Sequence, residues 1–410
     1  MSYKQEKLED YIEILSGFAF KTRDFAERGI PIIKIKNISP PEVTLEDITY
    51  VSEDVAEKQK KFLLSYDDVL IAMTGSHINQ WASVVGRVAR VKYYDKSLLN
   101  QRVGKITLKE NAQADLTFIY YFLSQDRVKI QLAAKAGGAA NQANISPSDI
   151  KGLLFPCPDL DKQIKIAGIL KAYDDLIENN KRQIILLEEA AQRLYKEWFV
   201  DLRFPGYENC KIVDGVPDGW TYKKIFDLGE IITGKTPSTS KEQYYGGNIP
   251  FVKIPDMHDC VFPITTEVSL TNEGANTQKN KYIPKNGIMV SCIATVGLVN
   301  IAIEPCQTNQ QINSIILNNE QDLYYVYSSM KRLKELLEGV GSNGATMTNV
   351  NKTKFGKLEV VYPNDELRKL YYNYCKPIFE KIYALSRSIK KLSQARDCLL
   401  PKLMSGEIEV

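Results

Sequence analysis

Two histidines, His77 and His258, serve 410 residues. That scarcity leaves no HExxH helix, no paired imidazole ligands and little scope for a catalytic triad. There is no GxSxG elbow and no glycine-rich dinucleotide fingerprint after the first strand. The seven cysteines (Cys157, Cys210, Cys260, Cys292, Cys306, Cys375 and Cys398) are odd in number and never spaced CxxC. They point to reduced thiols in a cytoplasmic protein rather than to a zinc site or a disulfide frame. No apolar run approaches the roughly 18 residues of a membrane span. The opening MSYKQEKLEDY lacks an apolar core, so secretion is not expected. Charge of one sign is missing too: 53 basic against 50 acidic residues leave +3. Composition therefore does not suggest nucleic acid, and a DNA binder of this balance must gather its basic groups on one face.

What the chain does contain is itself, twice. Ile166, Leu170, Tyr173, Ile177, Ile184, Leu187, Ala191, Leu194 and Trp198 follow one another at alternating steps of four and three, with only Asn180 breaking the run. Ile382, Leu385, Ile389, Leu392 and Leu399 do the same near the C-terminus, and subtracting 205 lays Ile382 on Ile177 and Leu399 on Leu194. A heptad period predicts two long helices with a narrow apolar seam, each seeking a partner, and they are expected to pair with each other. Asn180 and Arg396 interrupt the seam with polar side chains, which typically fix register. A helix of about 40 residues would span about 60 Å. Asp159 and Asn364 stand where N-caps belong, and Pro377 predicts a kink or break.

The segments between the helices echo each other as well. GIPIIKIKN (29–37) matches NIPFVKIPD (248–256), each read as a strand opened by its proline. Further strand patterns match at 67–75 and 285–297, and at 98–108 and 306–317. The class is therefore α+β: a mixed domain (1–158), a long helix (159–200), a linker with a second mixed domain (201–363) and a second long helix (364–410). The two helices, antiparallel, would separate the domains about a pseudo-two-fold axis.

Gly229 to Thr236 formally match a phosphate-binding GxxxxGKT loop. A working loop needs a strand before it and a helix opening at Lys235, but Pro237 follows at once and the first-half counterpart, ILSGFAF, keeps only the glycine. Paired acids such as Asp67–Asp68 and Asp174–Asp175 read as solvated. The polar turns carry more. Ser76, His77, Asn79, Gln80 and Trp81 follow one strand, and Gln101 and Arg102 precede another. The second half offers Thr295, Asn309 and Gln310, and the Gly/Asn loops add Asn141, Asn343 and Thr346. Lys34, Lys36, Asn37 and Lys253 follow the proline strands. Forked amide and guanidinium donors on a rigid frame are what reading base edges requires, and ordinary turn hydrogen bonding is the competing explanation.

The central QIKIAGILKAYDDLIENNKRQIILLEEAAQRLYKEWFVDLRFPG and the ending IKKLSQARDCLLPKLMSGEI, together with the repeat, resemble the DNA-specificity subunit of type I restriction–modification systems. The resemblance implies two target recognition domains, each reading half of a split double-stranded DNA site, with the helices as spacer and dock. It implies two modification subunits that use S-adenosylmethionine and restriction/translocase subunits that use ATP and Mg, with no cofactor, metal or catalysis in this chain. A coiled-coil adaptor or a P-loop ATPase without specific DNA recognition is the alternative.

Overall fold

The computed structural model describes residues 3–137, 142–339 and 349–410. They form two compact units, one of residues 1–175 with 393–410 and one of residues 176–392.

In the first unit Ile12–Ser16, Val103–Leu108, Val69–Ala72 and Val88–Arg90 lie side by side in the main sheet, which Glu42–Val43 and Ile38–Ser39 extend. Val69–Ala72 is buried at every position, as its unbroken apolar run requires. In the second unit Gly229–Thr233, Ile312–Leu317, Ile288–Ser291 and Val299–Ile301 repeat that order. Each unit adds a smaller sheet containing its proline strand, Ile30–Ile33 or Tyr245–Val252. Two helices follow: Leu116–Ser124 and Asp126–Lys135 in the first, Leu323–Lys331 and Leu333–Gly339 in the second.

Neither proline opens its strand; Pro31 is second in one and Pro250 sixth in the other. The parallel partner takes over only at the next residue, Ile32 on Leu98 and Phe251 on Gln307, so the missing proline N–H removes no ladder bond there.

The long helices are Leu160–Phe199 and Asp365–Ser405. Asp159 Oδ1 accepts from the Lys162 amide at 3.0 Å and Asn364 Oδ1 from the Leu367 amide at 2.9 Å, the expected caps. The second helix runs unbroken through Pro377, so no break occurs there. Each helix contributes to both units. In the second unit Asn180 Nδ2 donates to Ser388 Oγ at 3.2 Å and the Tyr371 hydroxyl donates to the Ala191 carbonyl at 3.4 Å, so the numbering runs oppositely along the two helices and they are antiparallel. Ile177, Ile382 and Leu385 are buried, with Ile184 and Leu187 half-buried. In the first unit Ile166 and Leu170 share a core with Leu399, Leu403 and Met404. There Arg396 donates to Asp174 at 2.6 Å, and Tyr121 donates to the other Asp174 oxygen at 2.6 Å. Asp174 is thus the seam arginine's counterion, and Asp67 likewise receives Arg90 and Lys92; neither acid is merely solvated.

The helix starts correspond across the repeat. Gln163 accepts from the Asp115 amide at 3.0 Å and donates to the Pro158 carbonyl at 2.9 Å. Arg368, 205 positions on, donates to the Pro363 carbonyl at 3.1 Å and to the Asp322 carboxylate. One junction is neutral and the other ionic.

Burial pushes the thiols of Cys260, Cys306 and Cys375 up to about 12, which makes them poor nucleophiles. Among the described residues no helix is long and apolar enough to cross a membrane, and no cluster of three or more His, Cys, Asp or Glu could hold a metal ion.

Candidate nucleic-acid interface

One end of the main sheet gathers four chain segments in each unit, and a glycine makes this possible. Gly17 donates its amide to the Val103 carbonyl at 3.1 Å and Phe18 donates to Leu99 at 3.0 Å. Gly234 donates to Ile312 at 3.0 Å and Lys235 to Thr308 at 2.9 Å. A Cβ on Gly17 would lie 2.3 Å from the Asn100 carbonyl oxygen, and one on Gly234 2.1 Å from that of Asn309. Asn100 and Asn309 in turn donate their amides to Ile33 and Val252, the last residues of the proline strands. Met73 and Cys292 donate to the Arg102 and Gln311 carbonyls. The turns at 100–102 and 309–311 are thereby pinned against the ends of three strands, and Gln101, Arg102 and Gln310 project from rigid backbone.

The same bonds dispose of the P-loop match. Gly229–Thr233 is itself the strand, the Gly234 and Lys235 amides are already spent, and no helix follows before the short 3-10 turn Glu242–Tyr244. The amides at the Gly234–Lys235 step, which such a loop would aim at a phosphate, are therefore occupied. Lys235 is exposed, so Lys235→Ala is expected to change stability by less than about 0.5 kcal/mol. ATP turnover that this variant abolishes would restore the nucleotide-site interpretation.

The predicted side chains divide by exposure. Asn79, Gln80, Trp81, Gln101, Arg102, Thr295 and Gln310 are exposed on these turns. Lys36 is exposed as well, while His77, Lys34 and Lys253 are half-buried. Lys34 Nζ donates to Thr49 Oγ1 at 2.8 Å and lies 4.5 Å from the Phe25 ring centre; burial lowers its pKa. Lys36 stands 3.7 Å from Asp47, and Lys253 is paired with Glu267 at 2.9 Å.

Three candidates point inward and are corrected. Asn37 is 1% exposed; its Oδ1 accepts from the Lys34 amide and its Nδ2 donates to the Glu46 carbonyl. Asp256 accepts from the Lys253 amide in the same way, so this position caps a turn in both halves. Ser76 donates to the Gln80 carbonyl at 2.6 Å, and Asn309 closes on Gln311 through both amide atoms. These are the Asx-type bonds that competed with base contact as an explanation. Asn141, Asn343 and Thr346 lie outside the described residues.

Sequence reasoning missed Arg87. Its guanidinium donates to the Ala82 carbonyl at 2.9 Å and to the Ile35 carbonyl at 3.2 Å, joining two of the turns. Among the described residues nothing accepts from Nε, and burial without a compensating acid lowers its pKa. VGRV, a lone arginine before a strand, carried no pattern that could have marked it.

The chain matches the family model for the type I restriction modification DNA specificity domain over residues 2–189 and again over 217–392. It is 36% identical over 329 residues to the type I restriction enzyme HindI specificity subunit of Haemophilus influenzae, covering 64% of this chain and 71% of that one. Identity to the MjaIX specificity subunit of Methanocaldococcus jannaschii is 25% over 421 residues, 99% of this chain and 93% of that one. The type I restriction–modification S subunit from M. genitalium has a similar fold, with a TM-score of 0.59 at 16% identity and coverage of 98% and 96%.

Proposed function

Because the chain belongs to the type I restriction–modification DNA specificity family, we propose that it is a non-catalytic specificity subunit that reads a split, asymmetric double-stranded DNA site. The observation that supports this best is the repeated, glycine-pinned cluster of turns at one sheet end. Its frame recurs, with Gln101 answered by Gln310, while the other exposed side chains differ: Asn79, Gln80 and Arg102 in one unit, Thr295 in the other. A shared frame with unlike tips reads unlike half-sites. Lys36, Lys34 and Lys253 would serve the phosphates, which position a protein without specifying sequence.

In this proposal residues 1–158 and 201–363 are the recognition domains, and the helices at 159–200 and 364–410 set the distance between the half-sites. Two modification subunits supply S-adenosylmethionine chemistry, restriction/translocase subunits supply ATP- and Mg-dependent cleavage, and the complex works in the cytoplasm. This chain binds none of those cofactors.

Methylome sequencing of a strain that expresses the chain with its modification subunit should return a bipartite asymmetric motif. A continuous or palindromic motif would count against two different readers. Deleting four residues around Asn180, about one helical turn, should alter the spacer and leave both half-sequences readable. An unchanged spacer would sink the ruler role of the helices.

A further inference from the structure

The turn at Ile78–Ser83 carries two large apolar side chains with no core to enter. Ile78 is 49% and Trp81 39% exposed, and among the described residues neither belongs to an apolar cluster of the first unit. The other two tryptophans, Trp198 and Trp220, are each 6% exposed. Trp81 is nevertheless held in place. Lys129 Nζ lies 4.6 Å from its ring centre, and that ammonium is itself fixed by Asp126 at 2.7 Å. Arg87 grips the neighbouring Ala82 carbonyl, and Ser76 and Ser83 tie the base of the turn together. An indole on a braced turn, with one ammonium at its ring, a guanidinium on the next residue's carbonyl and the exposed Gln80 and Asn79 as neighbours, is presented rather than stored.

The matching turn of the second unit has nothing of this kind. Ala294 and Thr295 are its exposed residues and Val296 is buried. The feature therefore belongs to one half only.

We infer that Trp81 stacks on a nucleobase of the half-site read by the first unit, with Lys129 and Arg87 supplying positive charge beside it. This rests on the DNA-reading function proposed above and adds a contact to it. The ring offers a flat apolar face, and a base at an unstacked or kinked step is the DNA group that a flat apolar face fits. Charge complementarity selects DNA over an apolar protein surface, because an apolar partner would bury Arg87, which pairs with no carboxylate among the described residues, without a counter-charge.

The test uses the full chain assembled with its modification subunits and the duplex that methylome sequencing identifies. Anisotropy reports binding, and the difference between wild-type and W81F emission isolates the signal of Trp81. Cognate duplex should shield that signal from acrylamide. W81A should weaken cognate binding about tenfold, and W81F, which keeps a ring, should stay within about twofold. Relaxed methylation should appear at one half-site only. A complex that forms by anisotropy while Trp81 remains fully quenchable overturns the stacking role and leaves the DNA-reading function standing, as does W81A binding like wild type. Failure of every duplex to bind overturns both.

Discussion

Arg368→Ala is expected to cost about 3–5 kcal/mol of the second unit's stability, measured as a lower urea midpoint for that unit's transition. Arg368 and Asp322 are each 3% exposed, and the guanidinium bridges the start of the second long helix to the start of Leu323–Lys331. Tyr362 donates to the other Asp322 oxygen at 2.7 Å, and the guanidinium carbon lies 4.0 Å from the Tyr362 ring centre. Removing the arginine leaves a buried carboxylate with one neutral donor, and a lone buried charge is far costlier than an intact pair is favourable. The repeat provides the control. Gln163 performs the same bridging in the first unit without charge, so Arg368→Gln combined with Asp322→Asn should recover most of the loss. Gln163→Ala should cost less, about 1–3 kcal/mol, because only neutral groups are left unpaired. A single alanine variant at Arg368 that shifts stability by under about 1 kcal/mol would contradict this account.

Gly234→Ala should be nearly as damaging, and its damage should be local to one half of recognition. The new Cβ would meet the Asn309 carbonyl oxygen at 2.1 Å and Thr308 Oγ1 at 2.2 Å. Backbone cannot swing aside as a side chain can, so the 309–311 turn must move. The expected penalty is about 3 kcal/mol, the upper end for overpacking. Methylation specificity should degrade in one half of the motif while the other half stays intact. Gly17→Ala should mirror the result in the other half, since its Cβ would meet the Asn100 oxygen at 2.3 Å. Gly168 is the control: it is exposed in the first long helix, among the described residues nothing beyond the helix's own backbone lies within 4 Å of its Cβ position, and Gly168→Ala should stabilise by about 0.5–1 kcal/mol. Equal effects at Gly234 and Gly168 would mean the close approach has no consequence.

The alternative assignments fail for physical reasons. A P-loop needs free amides at a helix start, and here those amides complete a sheet edge. A bare coiled-coil adaptor would not need two glycine-pinned polar turns, repeated in frame and different in side chain.

Periodicity and repetition sufficed for the architecture. Heptad spacing marks an apolar stripe wherever it occurs, so the long helices, their caps and their pairing were legible from Ile166 to Leu399. The 205-residue echo revealed the duplicated domain because each half must bury the same strands in the same order. The placement of individual polar residues was not legible. Asn37, Ser76 and Asn309 share composition and neighbourhood with Asn79, Gln80 and Gln310, yet the first three turn inward to satisfy backbone and the others face out. Which way an amide turns depends on carbonyls and amides brought near by segments far away in sequence, such as Glu46 beside Asn37. Arg87 and the Gln163–Arg368 correspondence were invisible for the same reason. The sequence by itself determined the duplicated α+β plan and its helix pair, because those follow from local period and burial. Only the tertiary structure decided which side chains remain free to meet DNA, because that depends on hydrogen-bond partners the chain acquires on folding.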